Sequence, residues 1–246
     1  MSLEYKIVIP ARYASTRLPG KPLLEINSKA LIQHVYEQAC ASNASHVYIA
    51  TDDERIASAA NDFNASIVMT SNEHESGTDR LAEVAKIEKF HPDDIIVNIQ
   101  GDEFGLSNLL VDQVAKCLYE HDEAVVATLC EPIDNIDDYQ NPNVVKVVQD
   151  CNGYALYFSR SSIPANRAGG LPENCYRHIG LYAYRAGYLE KFTQTPISGL
   201  EKMESLEQLR VLESGGKIAI DVACTTTGIG IDTEEDLAKA RELASG

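Results

Sequence analysis

Five short apolar runs, each bounded by polar or turn residues, recur along the first half of the chain. They cover residues 6–9, 47–50, 66–69, 95–99 and 124–129. Runs of this length with few polar positions predict strands that are buried on both faces of a sheet. Amphipathic segments lie between them, near residues 30–41, 54–62, 78–89 and 108–120, and each is long enough for a crossover helix. The order therefore predicts a βαβ series, which is an α/β fold with a mostly parallel central sheet flanked by helices.

The second half of the chain is richer in strand patterns. Between Val144 and Tyr184, the segments VVKVV, ALYF and GLYAY predict a smaller strand-rich extension of antiparallel strands or a flap. A last helix is predicted over residues 233–243, begun by Asp232 or Thr233. Because no Pro-, Gly- or Ser-rich linker divides the chain, residues 1–246 are predicted to form a single domain.

Composition and charge narrow the classes of function. Of the 246 residues, 44% are hydrophobic and 24% are charged, which is typical of a globular protein. The formal net charge of −16 would repel nucleic acid and an anionic membrane surface. No apolar stretch approaches the roughly 18 residues of a membrane helix, so a soluble cytoplasmic protein is expected. The six cysteines lack C-x-x-C or zinc spacing and predict buried free thiols.

The loop after the first predicted strand is the most informative single segment. Residues 7–22 read IVIPARYASTRLPGKP and place Arg12, Ser15, Arg17 and Lys21 around a glycine, an arrangement that suits a triphosphate. The loop lacks the G-x-x-x-x-G-K-[ST] and G-x-G-x-x-G patterns, which argues against a P-loop ATPase and a dinucleotide enzyme. The alternative for Arg12 and Lys21 is a solvated surface pair, which their place after a buried strand disfavours. Arg17 fits equally well as a third phosphate contact or as a structural partner of a nearby acid.

Polar residues also follow other predicted strands. Residues 51–53 read TDD after the second strand, and residues 100–103 read QGDE after the fourth. Ligands of open α/β sheets bind beyond the carboxyl ends of the strands, so these groups are expected to converge on one cleft. Asp102 and Asp232 could hold a hard cation such as Mg²⁺. The alternatives are that Asp102 stabilises a tight turn and that Asp232 is a plain helix N-cap.

Residues of the second half suggest a site for an anionic sugar. Arg160 ends the segment YALYFSR, and Arg177 and His178 lie near the start of YRHIGLYAY. All three could contact a sugar acid, although a structural histidine is the alternative for His178. The segment LEKMESLEQLR places Glu201, Glu204 and Glu207 near one face of a predicted helix, a pattern that usually marks a solvated stripe.

Eight segments, in one order along nearly the whole chain, carry a family resemblance. They are PARYASTRLPGKP, HESGTDRLAEV, IIVNIQGDE, NVVKVV, YALYFSR, RHIGLYAYR, MESLEQLRVLE and GIGIDTEEDL. Together they resemble the 3-deoxy-manno-octulosonate (Kdo) cytidylyltransferases, also called CMP-Kdo synthetases. The resemblance implies a Rossmann-like nucleotidyltransferase fold, a homodimer, and a Mg²⁺-dependent reaction of CTP with Kdo that gives CMP-Kdo and pyrophosphate for lipopolysaccharide biosynthesis.

At matching positions the resemblance also implies residue roles. Catalysis is assigned to Arg12, Lys21 and Asp102, and Mg²⁺ binding to Asp102 and Asp232. Nucleotide binding is assigned to Arg12, Ser15, Lys21, Ser76, Arg80 and Gln100. Sugar binding is assigned to Arg160, His178, Tyr182, Glu207 and Gln208.

Two departures from the family pattern leave the acceptor open. Phe104-Gly105-Leu106 stands where the family usually has proline and aliphatic residues, and proline would fix φ there. Residues 163–170, IPANRAGG, replace a bulkier and more charged loop beside the sugar site. An 8-amino-Kdo or sialic acid acceptor, and a non-catalytic sugar-nucleotide sensor with the same fold, are the alternatives.

Overall fold

A sheet of nine strands runs through the part of the chain that the computed structural model describes, residues 3–14, 18–74 and 76–245. The strands of these residues are β1 (Tyr5–Ala11), β2 (Glu25–Ile26), β3 (Lys29–Ala30), β4 (His46–Thr51), β5 (Ser66–Met69), β6 (Ile95–Asn98), β7 (Glu103–Phe104), β8 (Val126–Pro132), β9 (Lys146–Gln149), β10 (Ala155–Ser159), β11 (Tyr176–Arg185), β12 (Ile218–Val222) and β13 (Ile229–Gly230). The helices are α1 (Leu31–Cys40), α2 (Glu54–Asp62), α3 (Gly77–Ile87), α4 (Asn108–Glu120), α5 (Ile136–Gln140), α6 (Ala186–Gln194), α7 (Gly199–Glu204), α8 (Gln208–Glu213) and α9 (Glu234–Ser245), with a 3₁₀ turn at Lys21–Leu23.

The first half forms the parallel part of the sheet, in the order β5, β4, β1, β6. Ile7 lies opposite Val47 on one side and Val97 on the other, so β1 is the central strand of this part. The parallel direction places the carboxyl ends of β1, β4 and β6 at the same edge of the sheet. The predicted βαβ series is confirmed, and the bounds of β5, α2 and α4 agree with the sequence prediction.

The second half continues the sheet mainly with antiparallel pairs. β11 pairs antiparallel with β6, β8 and β9, while β10 adds to β9 and β12 lies parallel to β8. The pairing of β11 with β8 is irregular between Ile179 and Tyr182. This part confirms the predicted strand-rich extension, and it joins the parallel part directly because β11 borders β6.

Apolar side chains fill both faces of the sheet because successive residues of a strand point to opposite sides. On one face, Ile7 and Val97 pack with residues of α1, α2, α4 and α9. On the other face, Val8 and Ile96 pack with residues of α3, α6 and α8. The double burial explains why these strands are continuous apolar runs in the sequence. Among the described helices, none has the length and apolar content needed to cross a bilayer.

The predicted helix with a solvated glutamate stripe is wrong. Ser205 adopts a left-handed conformation with φ 52° and separates α7 from α8. This break turns all three carboxylates toward partners. Glu201 pairs with Arg210, Glu204 accepts hydrogen bonds from the Ser159 hydroxyl and the Arg160 backbone N–H, and Glu207 accepts one from the Thr78 hydroxyl.

The cysteine prediction holds in part. All six cysteines lie within the described residues and none forms a disulfide. Cys117, Cys130 and Cys175 are buried as expected, and burial raises the pKa of the Cys117 thiol to about 12. Cys40, Cys151 and Cys224 are exposed, so the expectation of burial is wrong for them.

Candidate active site

One lysine lies between two carboxylates beyond the carboxyl ends of β1 and β6. Lys21 Nζ donates to Asp102 Oδ2 at 2.5 Å and to Asp232 Oδ1 at 3.1 Å, and its side chain is only 13% exposed. Gly20 allows the tight turn before it, because this residue has a left-handed φ of 68°. Burial alone would lower the pKa of Lys21, but the two ion pairs outweigh it and the pKa is raised. The ammonium therefore stays charged and compensates both carboxylates.

A short two-stranded pairing brings these carboxylates together from distant parts of the chain. β7 and β13 pair antiparallel, and the backbone N–H of Ile231 donates to the carbonyl of Asp102 at 3.0 Å. The approach is close enough to require glycine at position 228, since a Cβ on Gly228 would lie 2.5 Å from the carbonyl oxygen of Phe104. The β7–β13 pair thus fixes the separation between the loops of Asp102 and Asp232.

Asp232 does not act as the N-cap of α9. The Thr233 hydroxyl accepts from the backbone N–H of Asp236 at 3.2 Å, and the Asp236 carboxylate accepts from the backbone N–H of Thr233 at 3.0 Å, which makes a reciprocal capping box. The Asp232 side chain instead contacts Lys21. The helix is therefore predicted correctly, and its cap is the second of the two predicted residues, Thr233.

Glu103 adds a third carboxyl group beside this cluster. Burial, followed by the charges of Asp102 and Asp232, raises the pKa of Glu103 to about 7, while Lys21 acts in the opposite direction. Glu103 is one of the strand-exit residues expected at the cleft, although the sequence did not predict it as a site residue. The excess of carboxylates over ammonium groups gives this corner of the cleft a strong preference for added positive charge.

The loop that begins α3 contacts the loop after β1. Arg12 Nη2 donates to the carbonyl of Ser76 at 2.8 Å, while the Ser76 side chain forms a capping box with Asp79. A Cβ on Gly77 would lie 3.3 Å from Pro10 and 3.9 Å from Gln100 Oε1, so the amide of Gln100 also borders this loop. Three of the predicted nucleotide-binding residues, Arg12, Ser76 and Gln100, are therefore neighbours. Ser15 and Arg17 lie outside the described residues.

Arg80 is buried under this loop rather than open to the cleft. It is 1% exposed, donates from Nη1 to Thr70 Oγ1 at 2.5 Å, and pairs through Nη2 with Asp52 Oδ2 at 2.9 Å. Its Nε is buried without a hydrogen-bond partner among the described residues. The expected convergence of strand exits fails for Asp53, because its carboxylate caps α2 and pairs with Arg55.

His178 lies on β11, on the other side of the predicted cleft. Its Nε2 is 3.0 Å from the hydroxyl of Thr128, which itself donates to the carbonyl of Leu181 at 2.8 Å. The ring also packs edge-on against Phe158 and near Tyr182. Burial lowers the pKa of His178 to about 3, so the ring is neutral at physiological pH. Because the Thr128 hydroxyl has the carbonyls of Ile179 and Leu181 as acceptors, the arrangement favours the tautomer of His178 that has hydrogen on Nε2 and leaves Nδ1 as an acceptor.

Glu207 and Gln208 lie where α8 begins, close to β11. Burial raises the pKa of Glu207, although the hydrogen bond from Thr78 and the charge of Arg210 act in the opposite direction. Its charge in turn helps to raise the pKa of Tyr182, after the larger effect of burial. Gln208 is 7% exposed, and its Nε2 has no hydrogen-bond partner among the described residues. An unpaired buried amide donor is costly, which favours a ligand that accepts from it.

Arg160 has partners of its own. Its guanidinium donates to the carbonyls of Glu204 at 2.7 Å, Pro142 at 3.1 Å and Ser205 at 3.3 Å. These bonds hold the break between α7 and α8 against β10. Of the five predicted sugar-site residues, the structure brings His178, Tyr182, Glu207 and Gln208 onto one face of the sheet, while Arg160 supports the break that positions Glu207.

The comparisons with known proteins agree with this architecture. A cytidylyltransferase family model matches residues 6–218. Similar proteins include the 3-deoxy-manno-octulosonate cytidylyltransferases of Pseudoalteromonas atlantica, 50% identical with 96% of each chain covered, and of Pseudomonas fluorescens, 51% identical with 99% of each chain covered.

Solved structures give the same result. A structure described as CMP:2-keto-3-deoxy-manno-octonic acid synthetase complexed with CTP matches with a TM-score of 0.91, 43% identity and 99% coverage of both chains. A cytidylyltransferase from Leptospira borgpetersenii, 17% identical with a TM-score of 0.64 over all of this chain and 87% of that one, shares the fold. The chain therefore belongs to the cytidylyltransferase family and, within it, to the 3-deoxy-manno-octulosonate cytidylyltransferases.

Proposed function

We propose that the protein transfers the cytidylyl group of CTP to Kdo, giving CMP-Kdo and pyrophosphate for lipopolysaccharide biosynthesis. The observation that carries the proposal is the contact of Lys21 with both Asp102 and Asp232, in a chain about half identical over its full length to enzymes named for this reaction. A cation and two carboxylates at the exit of parallel strands are the groups that a nucleotide triphosphate and its counter-ion require.

The reaction is an in-line displacement at the α-phosphorus of CTP. The anomeric hydroxyl oxygen of the sugar forms the new bond to phosphorus and loses its proton, and the bond from the α-phosphorus to the bridging oxygen breaks, so pyrophosphate leaves with the electron pair. No protein nucleophile is needed, because positioning and charge neutralisation supply most of the catalysis in phosphoryl transfer. Arg12 and Lys21 would bind the triphosphate, and Lys21 would exchange its carboxylate partners for phosphate oxygens.

Asp102 and Asp232 fit a divalent cation such as Mg²⁺. Their oxygen atoms approach one ammonium together, which shows that both reach a common point. Within the described residues, no group of three or more His, Cys, Asp or Glu side chains could hold a metal by itself. That fits Mg²⁺, which is usually bound through one or two carboxylates with water and substrate phosphates completing its shell. When bound, the ion would neutralise charge on the phosphates and make the sugar hydroxyl more acidic.

The acceptor would lie over β11 and the start of α8. His178 offers a neutral acceptor nitrogen, Glu207 a carboxylate, and Gln208 an unpaired amide donor, which together suit the hydroxyl groups and carboxylate of a sugar acid. We also infer that residues 1–246 act as one nucleotidyltransferase domain, and that the enzyme is a cytoplasmic homodimer. Support for the single domain comes from the sheet, which continues without interruption from β6 to β11.

Pyrophosphate release tests the proposal directly. Purified protein would be incubated with CTP, Mg²⁺ and one acceptor at a time, namely Kdo, 8-amino-Kdo or sialic acid, and the products would be identified by mass spectrometry. Release with Kdo as the preferred acceptor is expected. Preference for another acid would retain the triphosphate and metal roles and reassign the sugar site, with loop 163–170 as the first place to examine. Binding of CTP without release for any acceptor would indicate a sensor and contradict the proposal.

A further inference from the structure

Thr78 connects the nucleotide-binding loop to the sugar side of the cleft. It is the second residue of α3, two positions after Ser76, whose carbonyl accepts from Arg12 at 2.8 Å. The Thr78 side chain is 3% exposed, and its hydroxyl donates to Glu207 Oε1 at 2.6 Å. One turn of backbone therefore contacts the arginine assigned to the triphosphate and the carboxylate assigned to the sugar.

Among the described residues, the hydrogen bond that Glu207 accepts through its side chain comes from Thr78. Glu207 stands at the N-cap position of α8 without capping that helix through its side chain. Arg210, the nearest cation, is bound to Glu201 through Nε at 2.7 Å and Nη2 at 2.6 Å, so its donors are directed elsewhere. Orientation of the Glu207 carboxylate thus depends on the Thr78 hydroxyl.

We propose that Thr78 is a positioning residue for the sugar substrate, which holds the Glu207 carboxylate so that one oxygen stays available to a hydroxyl group of the sugar acid. The proposal rests on the proposed function, because it assigns Glu207 to the sugar. Threonine suits this position for two reasons. Its hydroxyl is a donor to the carboxylate, and its branched, buried side chain has little rotamer freedom on a helix.

The substitution Thr78→Val removes the donor and keeps the shape of the side chain. Steady-state pyrophosphate release would be measured with Kdo varied at saturating CTP, and then with CTP varied at saturating Kdo. The expected result is a KM for Kdo raised by about tenfold, the effect of losing one hydrogen bond to a charged group. The KM for CTP should change much less. Thr78→Ser, which restores a hydroxyl, should recover most of the loss.

A pH profile separates positioning from a purely structural role. The groups that face Glu207 are Thr78 and Asp79 of α3, Tyr182 and Tyr184 of β11, Glu201 of α7 and Arg210 of α8. Removing the Thr78 hydroxyl removes a hydrogen bond that favours the ionised carboxylate, so the pKa of Glu207 should rise. In Thr78→Val, the acid limb of 1/KM for Kdo should therefore move to higher pH, whereas a general packing defect would leave its position unchanged.

Controls distinguish failure of this inference from failure of the proposed function. Thr195→Val makes the same chemical change on a hydroxyl that bonds the carbonyl of Lys191, and it should leave both KM values within about twofold. Glu207→Gln should raise the KM for Kdo, and the double variant with Thr78→Val should be no worse than Glu207→Gln alone.

An unchanged KM for Kdo in Glu207→Gln would remove Glu207 from the sugar site and contradict that part of the proposed function together with this inference. A raised KM in Glu207→Gln with an unchanged KM in folded Thr78→Val would overturn only the role of Thr78. Thermal unfolding of each variant establishes that it is folded.

Discussion

The two sides of the cleft are built in different ways. On the proposed phosphate side, Lys21 forms ion pairs with Asp102, which follows β6 of the parallel sheet, and with Asp232, which follows β13 of the two-stranded pair. On the sugar side, His178 is neutral, Glu207 is bound to a neutral hydroxyl, and Gln208 has an unpaired donor. The difference teaches that the proposed phosphate and metal site is built from direct ion pairs, whereas the proposed acceptor site combines a neutral imidazole and an unpaired amide donor with one carboxylate held by a hydroxyl.

The largest expected effect is on the charged side. Asp102→Asn replaces a carboxylate that binds hard cations with an amide that binds them poorly. Turnover should fall by about a hundred- to a thousandfold, the range found when one electrostatic contact to a developing charge is removed. Pyrophosphate release at saturating substrates measures it. Asp94→Asn, which breaks a Lys–Asp pair with Lys6 far from the cleft, is the matched control and should retain activity.

The next largest effect concerns the separation of α7 from α8 at Ser205, which positions Glu207. Glu201 and Arg210 pair at 2.6 Å with both side chains 11% exposed, so Glu201→Gln leaves a buried guanidinium poorly compensated. The free energy of unfolding should fall by about 3 kcal/mol, as found when one partner of a buried pair is removed. Denaturant titration measures it. Glu37→Gln, in the exposed pair with Lys29, should change stability by less than about 1 kcal/mol, and equal effects in both variants would refute the distinction.

A smaller effect is expected from the backbone contact under the carboxylates. Gly228→Ala places a Cβ against the carbonyl of Phe104, so β7 and β13 must move apart. Overpacking of this kind costs about 1–3 kcal/mol, and the concentration of Mg²⁺ needed for half-maximal activity should rise as the two carboxylates separate. Gly199→Ala, whose Cβ would meet Glu213 at 3.4 Å, an ordinary contact distance, serves as the control. An unchanged Mg²⁺ concentration for half-maximal activity would show that the β7–β13 pair does not set the separation of Asp102 and Asp232.

The smallest expected effect is the pH dependence of stability that comes from the neutral ring of His178. The pKa of His178 is lowered from 6.5 to about 3, so between these values the unfolded chain binds a proton that the folded protein does not. Above pH 6.5 the ring is neutral in both states and does not reduce the free energy of unfolding. As the pH falls below 6.5, the free energy of unfolding decreases by about 1.4 kcal/mol per pH unit. Wild type should therefore lose about 2 kcal/mol more than His178→Asn between pH 6.5 and 5. Denaturant titration at both pH values measures this loss. An equal loss of unfolding free energy in wild type and in His178→Asn would contradict a neutral His178.

The sequence predicted the parallel half of the fold well, because buried strands and amphipathic helices have local patterns. The segments at 54–62, 66–69 and 108–120 have their predicted bounds. The break at Ser205 was not predictable in this way, since a left-handed serine is held by tertiary contacts of Arg160 and Glu204 rather than by a local turn signal.

The same division applies to the cleft. Lys21 and Asp102 could be identified as candidates because each follows a buried strand, whereas the approach of Asp102 and Asp232 to the same lysine depends on the β7–β13 pair. The bond between Thr78 and Glu207 joins residues on two separate helices and leaves no pattern in the sequence. A capping box at Thr233 and Asp236 could have shown that Asp232 is not the N-cap of α9.

Asp232 follows every strand of the large sheet along the chain, since β12 ends at Val222. A ribosome makes the chain in this order, so the residues of all nine strands, the lysine and the first carboxylate are synthesised before the second carboxylate. The pair of carboxylates is therefore the last part of the proposed metal site to be completed. Premature termination anywhere before residue 232 would yield a protein without half of its proposed metal site.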